Sequence, residues 1–222
     1  MTQSVVRQLI LKDLYLLRWL VLGSLGSGLA VIAMMPLGNV PAYVGGVSLI
    51  CIIVILNIVL VTHSVVQERK DKVLLFVLSL PVSTRQYVAT KIASNAIAFV
   101  GSWAILTLAV TAVIDRSALP NGILPFLIAI LTYLLMYYCI LLAVATLTDS
   151  SAWSTTVIIV GNVSINFVIP LLLGLPSIAA HRSGSTAVWT TGITTLIAVE
   201  AVAGVAAVLV AFHLRSRTTD FV

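Results

Sequence analysis

Charge is scarce in this sequence. Asp, Glu, Lys and Arg together make up 9% of its 222 residues, against 60% apolar residues. A water-soluble domain carries roughly 25% charged and about 45–50% apolar residues. A chain this apolar cannot cover itself with polar surface in water, so lipid is the solvent it implies. Cysteine is nearly absent. Cys51 and Cys139 both lie inside apolar runs and read as small hydrophobes rather than as a disulfide or metal pair. His63, His181 and His213 are scattered and match no metal-ligand spacing. No G-x-x-x-x-G-K-[ST] phosphate loop occurs, so ATP is not bound here by that device. No apolar run carries the paired acids or the Ser/His set that an intramembrane protease needs. The chain therefore reads as a non-catalytic protein with no cofactor of its own. Long polar stretches are missing too, which leaves no room for an external receptor domain. The expectation is one membrane domain over 1–222 without a cleaved leader, because the first apolar run follows a mixed-charge start and lacks a small-residue cleavage site.

What is there is a series of apolar runs long enough to cross a bilayer, which takes about 20 residues. From Trp19 to Gln67 there is no charged side chain, and Pro36, Gly38, Asn39, Pro41 and Gly45-Gly46 divide that stretch in two. The expected spans are 19–35, 44–66, 92–114, 123–147, 153–173 and 188–212. Loop charge sets their orientation. With both termini inside, the inner side holds Arg7, Lys12, Arg18, Arg69, Lys70, Lys72, Arg85, Lys91, Arg215 and Arg217, and the outer side only Arg116 and Arg182. The predicted fold is an all-α membrane protein with six transmembrane helices and cytoplasmic termini.

Residues 1–18 precede the first span. On a helical projection Val5, Val6, Leu9, Ile10, Leu14, Leu16 and Leu17 share one side, and Arg7, Gln8, Lys12 and Arg18 the other. Asp13 breaks the pattern on the apolar side. The pattern predicts an N-terminal interfacial helix on the inner leaflet; the alternative is a simple extension of the first span.

Several polar residues fall within the spans. Glu200 lies near the middle of span six, and intramembrane carboxylates often mark a transport pathway. Asn162 and Asn166 share a face of span five, four residues apart. Asn57 lies in span two and Asn95 near the start of span three. Asn57, Asn162, Asn166 and Glu200 are candidates for lining a substrate pathway; the alternative is hydrogen-bonding glue between helices for the asparagines, the favoured reading for each taken singly, and a protonated carboxyl bonded to a neighbouring helix for Glu200. Tyr133 and Tyr137 form a packing stripe in span four. Gly23/Ser27 and Ser24/Gly28 are small-xxx-small pairs suited to close helix approach, within the chain or across a dimer.

The loop at 67–91 is the most informative stretch. Glu68-Arg69-Lys70-Asp71-Lys72 places five charges in a row, and Val73 to Leu78 is apolar but too short to span. That segment fits a helix between membrane and cytoplasm. Pro81 ends it and biases Leu80 away from helical geometry, and Ser83 can cap the helix that continues through Lys91 into span three. The residues alone leave two readings open, a lever for a soluble partner or a loop charged for topology. The run ERKDKVLLFVLSLPVSTRQYVATK, residues 68–91, resembles the first cytoplasmic loop of ABC-2 type transporter permeases. Ser79, Leu80, Pro81, Val82, Ser83 and Lys91 fall at the matching places, and Lys12-Asp13-Leu14 is similar to the opening of the small bacterial members. Thr84 stands where the family usually has Arg, with the basic residue one later at Arg85, so a role specific to that Arg is not carried over.

The resemblance implies that this loop is a cytoplasmic coupling helix between spans 2 and 3. It implies that Glu68, Arg69, Lys70, Asp71, Lys72, Leu74, Leu75, Leu78, Ser79 and Pro81 dock a separate ATP-hydrolysing subunit, with 148–154 as a second contact. ATP and magnesium are then expected on that partner. The chain is expected to be the permease subunit of an ABC exporter, working as a homodimer or with a second permease. The alternative is a small substrate-capturing membrane subunit of an energy-coupling importer. No nucleic acid is implied.

Overall fold

A computed structural model describes residues 2–67, 84–148, 150–215 and 217. Among them there is no strand. Six long helices form: α1 (Thr2–Met34), α2 (Asn39–Val61), α3 (Thr84–Arg116), α4 (Leu124–Leu147), α5 (Ser151–Gly174) and α6 (Thr191–Arg215). All six are long and apolar enough to cross a membrane. Each expected span lies within or close to one of these helices, so hydropathy alone located them.

Where the helices stop follows from local chemistry. A single 3-10 turn, Met35–Leu37, contains Pro36 and closes α1. Gly38 then takes φ 145°, a conformation costly for any residue with a Cβ. Pro41 does not break span two, because it falls in the first turn of α2, where its missing N–H has no intrahelical partner to lose. At the opposite end of α2 the helix widens into a π segment, Thr62–Gln67, which runs up to the charged loop. Ser150 caps α5 by accepting a hydrogen bond from the Ala152 amide at 3.2 Å.

The segment 1–18 is not a separate helix along the interface. It is the first half of α1, which is unbroken from Thr2 to Met34. No Gly or Pro interrupts the sequence before Gly23, and Asp13 and Leu17 are buried rather than turned outward. The alternative reading of that segment, an extension of the first span, is the one observed.

The central helix is α4, which packs against α2, α3, α5 and α6, while α1 lies along α2 and α3. Two contacts pin α3 to α4. The Phe99 and Tyr138 rings stack with centroids 3.9 Å apart and an interplanar angle of 10°. The Trp103 indole N–H donates to the Leu131 carbonyl at 2.8 Å. Three buried hydroxyls are satisfied within their own helices, as suits a lipid surrounding: Ser102 donates to Ala98 O, Thr132 to Ile128 O and Thr146 to Leu142 O. By contrast α1, α5 and α6 leave Leu22, Leu29, Ile159, Phe167, Val202 and Leu209 exposed. Apolar surface of this extent is stable against lipid or another protein, not against water.

At the end of the bundle remote from the π segment, the connection from α5 to α6 folds over the turn between α3 and α4. The Gly122 amide donates to the Gly184 carbonyl at 3.0 Å. A Cβ at Gly122 would stand 1.8 Å from the His181 carbonyl oxygen, so only glycine permits this approach.

Candidate functional site

The charged loop itself, with Glu68, Arg69, Lys70, Asp71, Lys72, Leu74, Leu75, Leu78, Ser79 and Pro81, lies outside the described residues. What the structure does describe is how the helices entering and leaving that loop are held. Lys91 lies seven residues into α3 and is only 5% exposed. Its Nζ is 2.8 Å from Oδ2 of Asp13 on α1, itself 4% exposed. The Ser94 hydroxyl, also buried, reaches the same Oδ2 at 3.2 Å. The other carboxylate oxygen faces Lys12 Nζ at 3.8 Å.

One turn further along α3, Asn95 carries the network to α2. Its Nδ2 donates to the Lys91 carbonyl at 2.9 Å, and its Oδ1 lies 2.8 Å from the Ser64 hydroxyl. That hydroxyl also lies 2.7 Å from the Leu60 carbonyl. Ser64 belongs to the π segment that leads into the loop, and single-turn π geometry recurs at functional sites. A continuous buried polar chain, Asp13–Lys91–Ser94 and Asn95–Ser64, therefore joins α1, α3 and the end of α2. Both ends of the loop are fixed to α1 and to each other.

Isolated charges in such a place are costly. A buried ion is tolerated when it is paired and its remaining hydrogen-bonding capacity is met. Asp13 has a cation and a hydroxyl on one oxygen and a second cation near the other, so the pair meets that condition. Asp13 was visible in the sequence as the one acid on the apolar side of residues 1–18, and Lys91 as a basic residue at a motif position. Their pairing, across 78 positions, had no signal in a single sequence. Ser94 had none either; Asn95, visible only as a polar residue near the start of span three, bonds to Ser64 at the end of α2.

The proposed pathway residues occupy separate places. Asn57 is buried on α2, and neither its Nδ2 nor its Oδ1 finds a hydrogen-bond partner among the described residues. Glu200 is buried on the side of α6 that faces α4: one turn on, a Cβ at Gly204 would lie 3.3 Å from Met136 Cα. Its Oε2 also lacks a partner. Asn162 donates to the Ile158 carbonyl at 2.8 Å and lies 3.5 Å from the Tyr137 hydroxyl. Asn166 is exposed on α5 and donates to the Asn162 carbonyl at 3.0 Å. No hydrogen bond among the described residues joins Asn57 or Glu200 to the asparagine pair. Tyr133 and Tyr137 both bond across to α5, at the Ser164 hydroxyl and the Ile158 carbonyl respectively. Of the small-residue pairs on α1, Gly28 packs on Leu106 of α3, while Gly23 meets nothing within 4 Å of its Cβ position. Of the 148–154 stretch, Thr148 is the C-cap of α4 and residues 151–154 form the first turn of α5, while Asp149 lies outside the described residues. Among the described residues no group of His, Cys, Asp and Glu could hold a metal ion.

A family model described as ABC-2 family transporter protein covers residues 8–213, a range that includes all of the polar chain and the loop it brackets. No curated protein and no solved structure matches the chain.

Proposed function

We propose, because the chain belongs to the ABC-2 family of transporter membrane proteins, that it is the membrane-spanning subunit of an ABC exporter driven by separate ATP-hydrolysing subunits. The motor docks on the inner loop through Glu68–Lys72 and the apolar turn that follows. ATP and magnesium reside on the motor, since this chain has no phosphate loop. Two permease chains, identical or related, enclose the pathway, and the Lys/Arg-rich side with both termini faces the cytoplasm.

The observation that carries this reading is the buried chain from Asp13 to Ser64. A push on a loop moves a membrane bundle only if the loop's two flanking helices do not yield independently. Here the helix entering the loop and the helix leaving it are bonded to each other through Ser64 and Asn95, and to α1 through Lys91 and Asp13. A displacement at the loop is thereby passed to three helices together. Asp13 and Lys91 are positioning residues in this scheme, acting through the loop and not on the cargo.

The test is reconstitution with the cognate ABC ATPase. Reversing charge at Glu68→Lys with Asp71→Lys is expected to weaken ATPase association at least tenfold, the effect of losing about 1.4 kcal/mol, without changing the thermal stability of the isolated permease. Complex formation at wild-type affinity would refute docking on this loop.

A further inference from the structure

The outward side of α1 carries a feature that coupling does not use. Arg18 stacks on the aromatic rings beside it, its guanidinium carbon 3.7 Å from the centroid of Tyr15 and 5.2 Å from that of Trp19. Its Nε is buried and without a hydrogen-bond partner. Among the described residues no acid pairs with Arg18, and Asp13, the acid nearest to it in sequence, is committed to Lys91 on the inward side of the helix. Tyr15 and Trp19 are themselves exposed, at 61% and 72%. The position along the helix is informative. At about 1.5 Å per residue, residues 15–19 lie roughly 22–28 Å from Met34, close to the far edge of a hydrocarbon core about 30 Å thick. A long Arg side chain at that level extends toward the headgroup phosphates. Toward the hydrocarbon, the same side of α1 holds Gly23 and Gly26, where a Cβ would meet nothing within 4 Å, with exposed Leu22 and Leu29 beside them.

We propose that this is a binding site for an anionic phospholipid. Its headgroup phosphate sits on the Arg18 guanidinium, which Tyr15 and Trp19 hold by stacking, and an acyl chain lies along the trough at Gly23 and Gly26. The chemistry fits on three counts. A guanidinium presents a planar fork that matches phosphate oxygens bidentately. Stacking on aromatic faces fixes that fork before the ligand arrives. An unpaired cation at the surface of the leaflet favours a lipid of net negative charge over a zwitterionic one.

The experiment uses the purified, delipidated chain titrated with dioleoyl-phosphatidylglycerol or dioleoyl-phosphatidylcholine and read by native mass spectrometry. The wild type is expected to bind the first phosphatidylglycerol about tenfold more tightly than phosphatidylcholine, the worth of one charge-assisted contact. Arg18→Gln is expected to abolish that preference. Arg116→Gln, which removes an exposed cation at the opposite end of the bundle, is expected to preserve it. Gly26→Leu is expected to weaken dioleoyl-phosphatidylglycerol while sparing the dihexanoyl form, whose chains do not reach the trough. Equal affinity for the two lipids in the wild type would overturn the proposal, as would an unchanged preference in Arg18→Gln. Displacement of the lipid by millimolar inorganic phosphate would assign the site to a free anion instead. A Gly26→Leu variant with unaltered lipid binding but an altered oligomeric state would give the face to a second copy of the chain.

Discussion

Replacing Asp13 is the sharpest perturbation of the proposed lever. Asp13→Asn keeps the shape of the side chain and its contact with Ser94 but leaves Lys91 charged and buried. At the observed 2.8 Å, two unit charges attract by about 6 kcal/mol at an effective dielectric of about 20. Desolvation cancels much of that, so the intact pair contributes little net stability. Breaking it is different, because removing one partner of a buried pair costs roughly 3–5 kcal/mol. Asp13→Asn and Lys91→Met are each expected to lose about that much, whereas the double variant falls within about 1 kcal/mol of wild type. The cycle then yields a coupling energy of at least about 5 kcal/mol, read from equilibrium unfolding of the purified chain in mixed micelles. In reconstituted vesicles the double variant should bind the ATPase normally yet transport less per ATP hydrolysed, because α1 is no longer tied to α3 by charge. Additive losses, with coupling inside about 0.5 kcal/mol, would refute the pair as a buried unit. Full transport coupling in the double variant would refute its role in transmission.

Asn57→Leu removes a buried carboxamide that has no described partner, so unfolding should require about 1 kcal/mol more rather than less. If Asn57 lines the pathway, vesicle transport falls in the same variant; a loss of stability would show that the amide is satisfied after all. Gly122→Ala drives a methyl into the His181 carbonyl and should cost about 1–3 kcal/mol, with faster tryptic cleavage after the exposed Arg182 as the readout. Gly101→Ala, where a Cβ meets nothing within 4 Å, is expected to raise the unfolding free energy by roughly 0.5–1 kcal/mol through helix propensity alone, and a loss there would contradict an open face on α3.

The six helices were legible because lipid imposes a strict rule, that a spanning segment satisfies its backbone internally and shows apolar side chains outward. Their ends were legible wherever a punctuating residue acted locally. Pro36 and Gly38 closed α1 as read, while Pro41 did not delay α2, since proline is harmless in a first turn. The interfacial helix was misjudged for a related reason. Amphipathicity around residues 1–18 reported a real polar side, but that side faces outward from α1 rather than upward from a bilayer surface, and the apolar side rests on α3. A helical projection gives directions around an axis and is silent about the direction of the axis itself. Asp13 shows the boundary most clearly. Its place on the apolar side announced that something must pair with it, yet the identity of Lys91 is a property of how α1 and α3 pack, and that is not written in either helix.

The same boundary explains why the coupling site and the pathway stand differently. A lever requires that charges be buried where hydrophobic residues would be cheaper, and the structure shows such a burial at Asp13 on α1 and Lys91 on the helix that leaves the loop. A pathway requires polar atoms left without partners so that cargo or water can take their place. Asn57 and Glu200 have such atoms, but on helices that a single chain does not bring together by any described hydrogen bond. Asn166 points the same way: it is exposed on α5, where a carboxamide against hydrocarbon costs energy that a protein neighbour or a water-filled cavity would recover. On the proposed reading the lever lies within one chain, whereas the cavity would be completed by assembly. Cross-linking cysteines introduced at Asn166 should therefore join two permease chains in the membrane. Failure to cross-link in the active complex would place that face against lipid and remove the asparagine pair from the pathway.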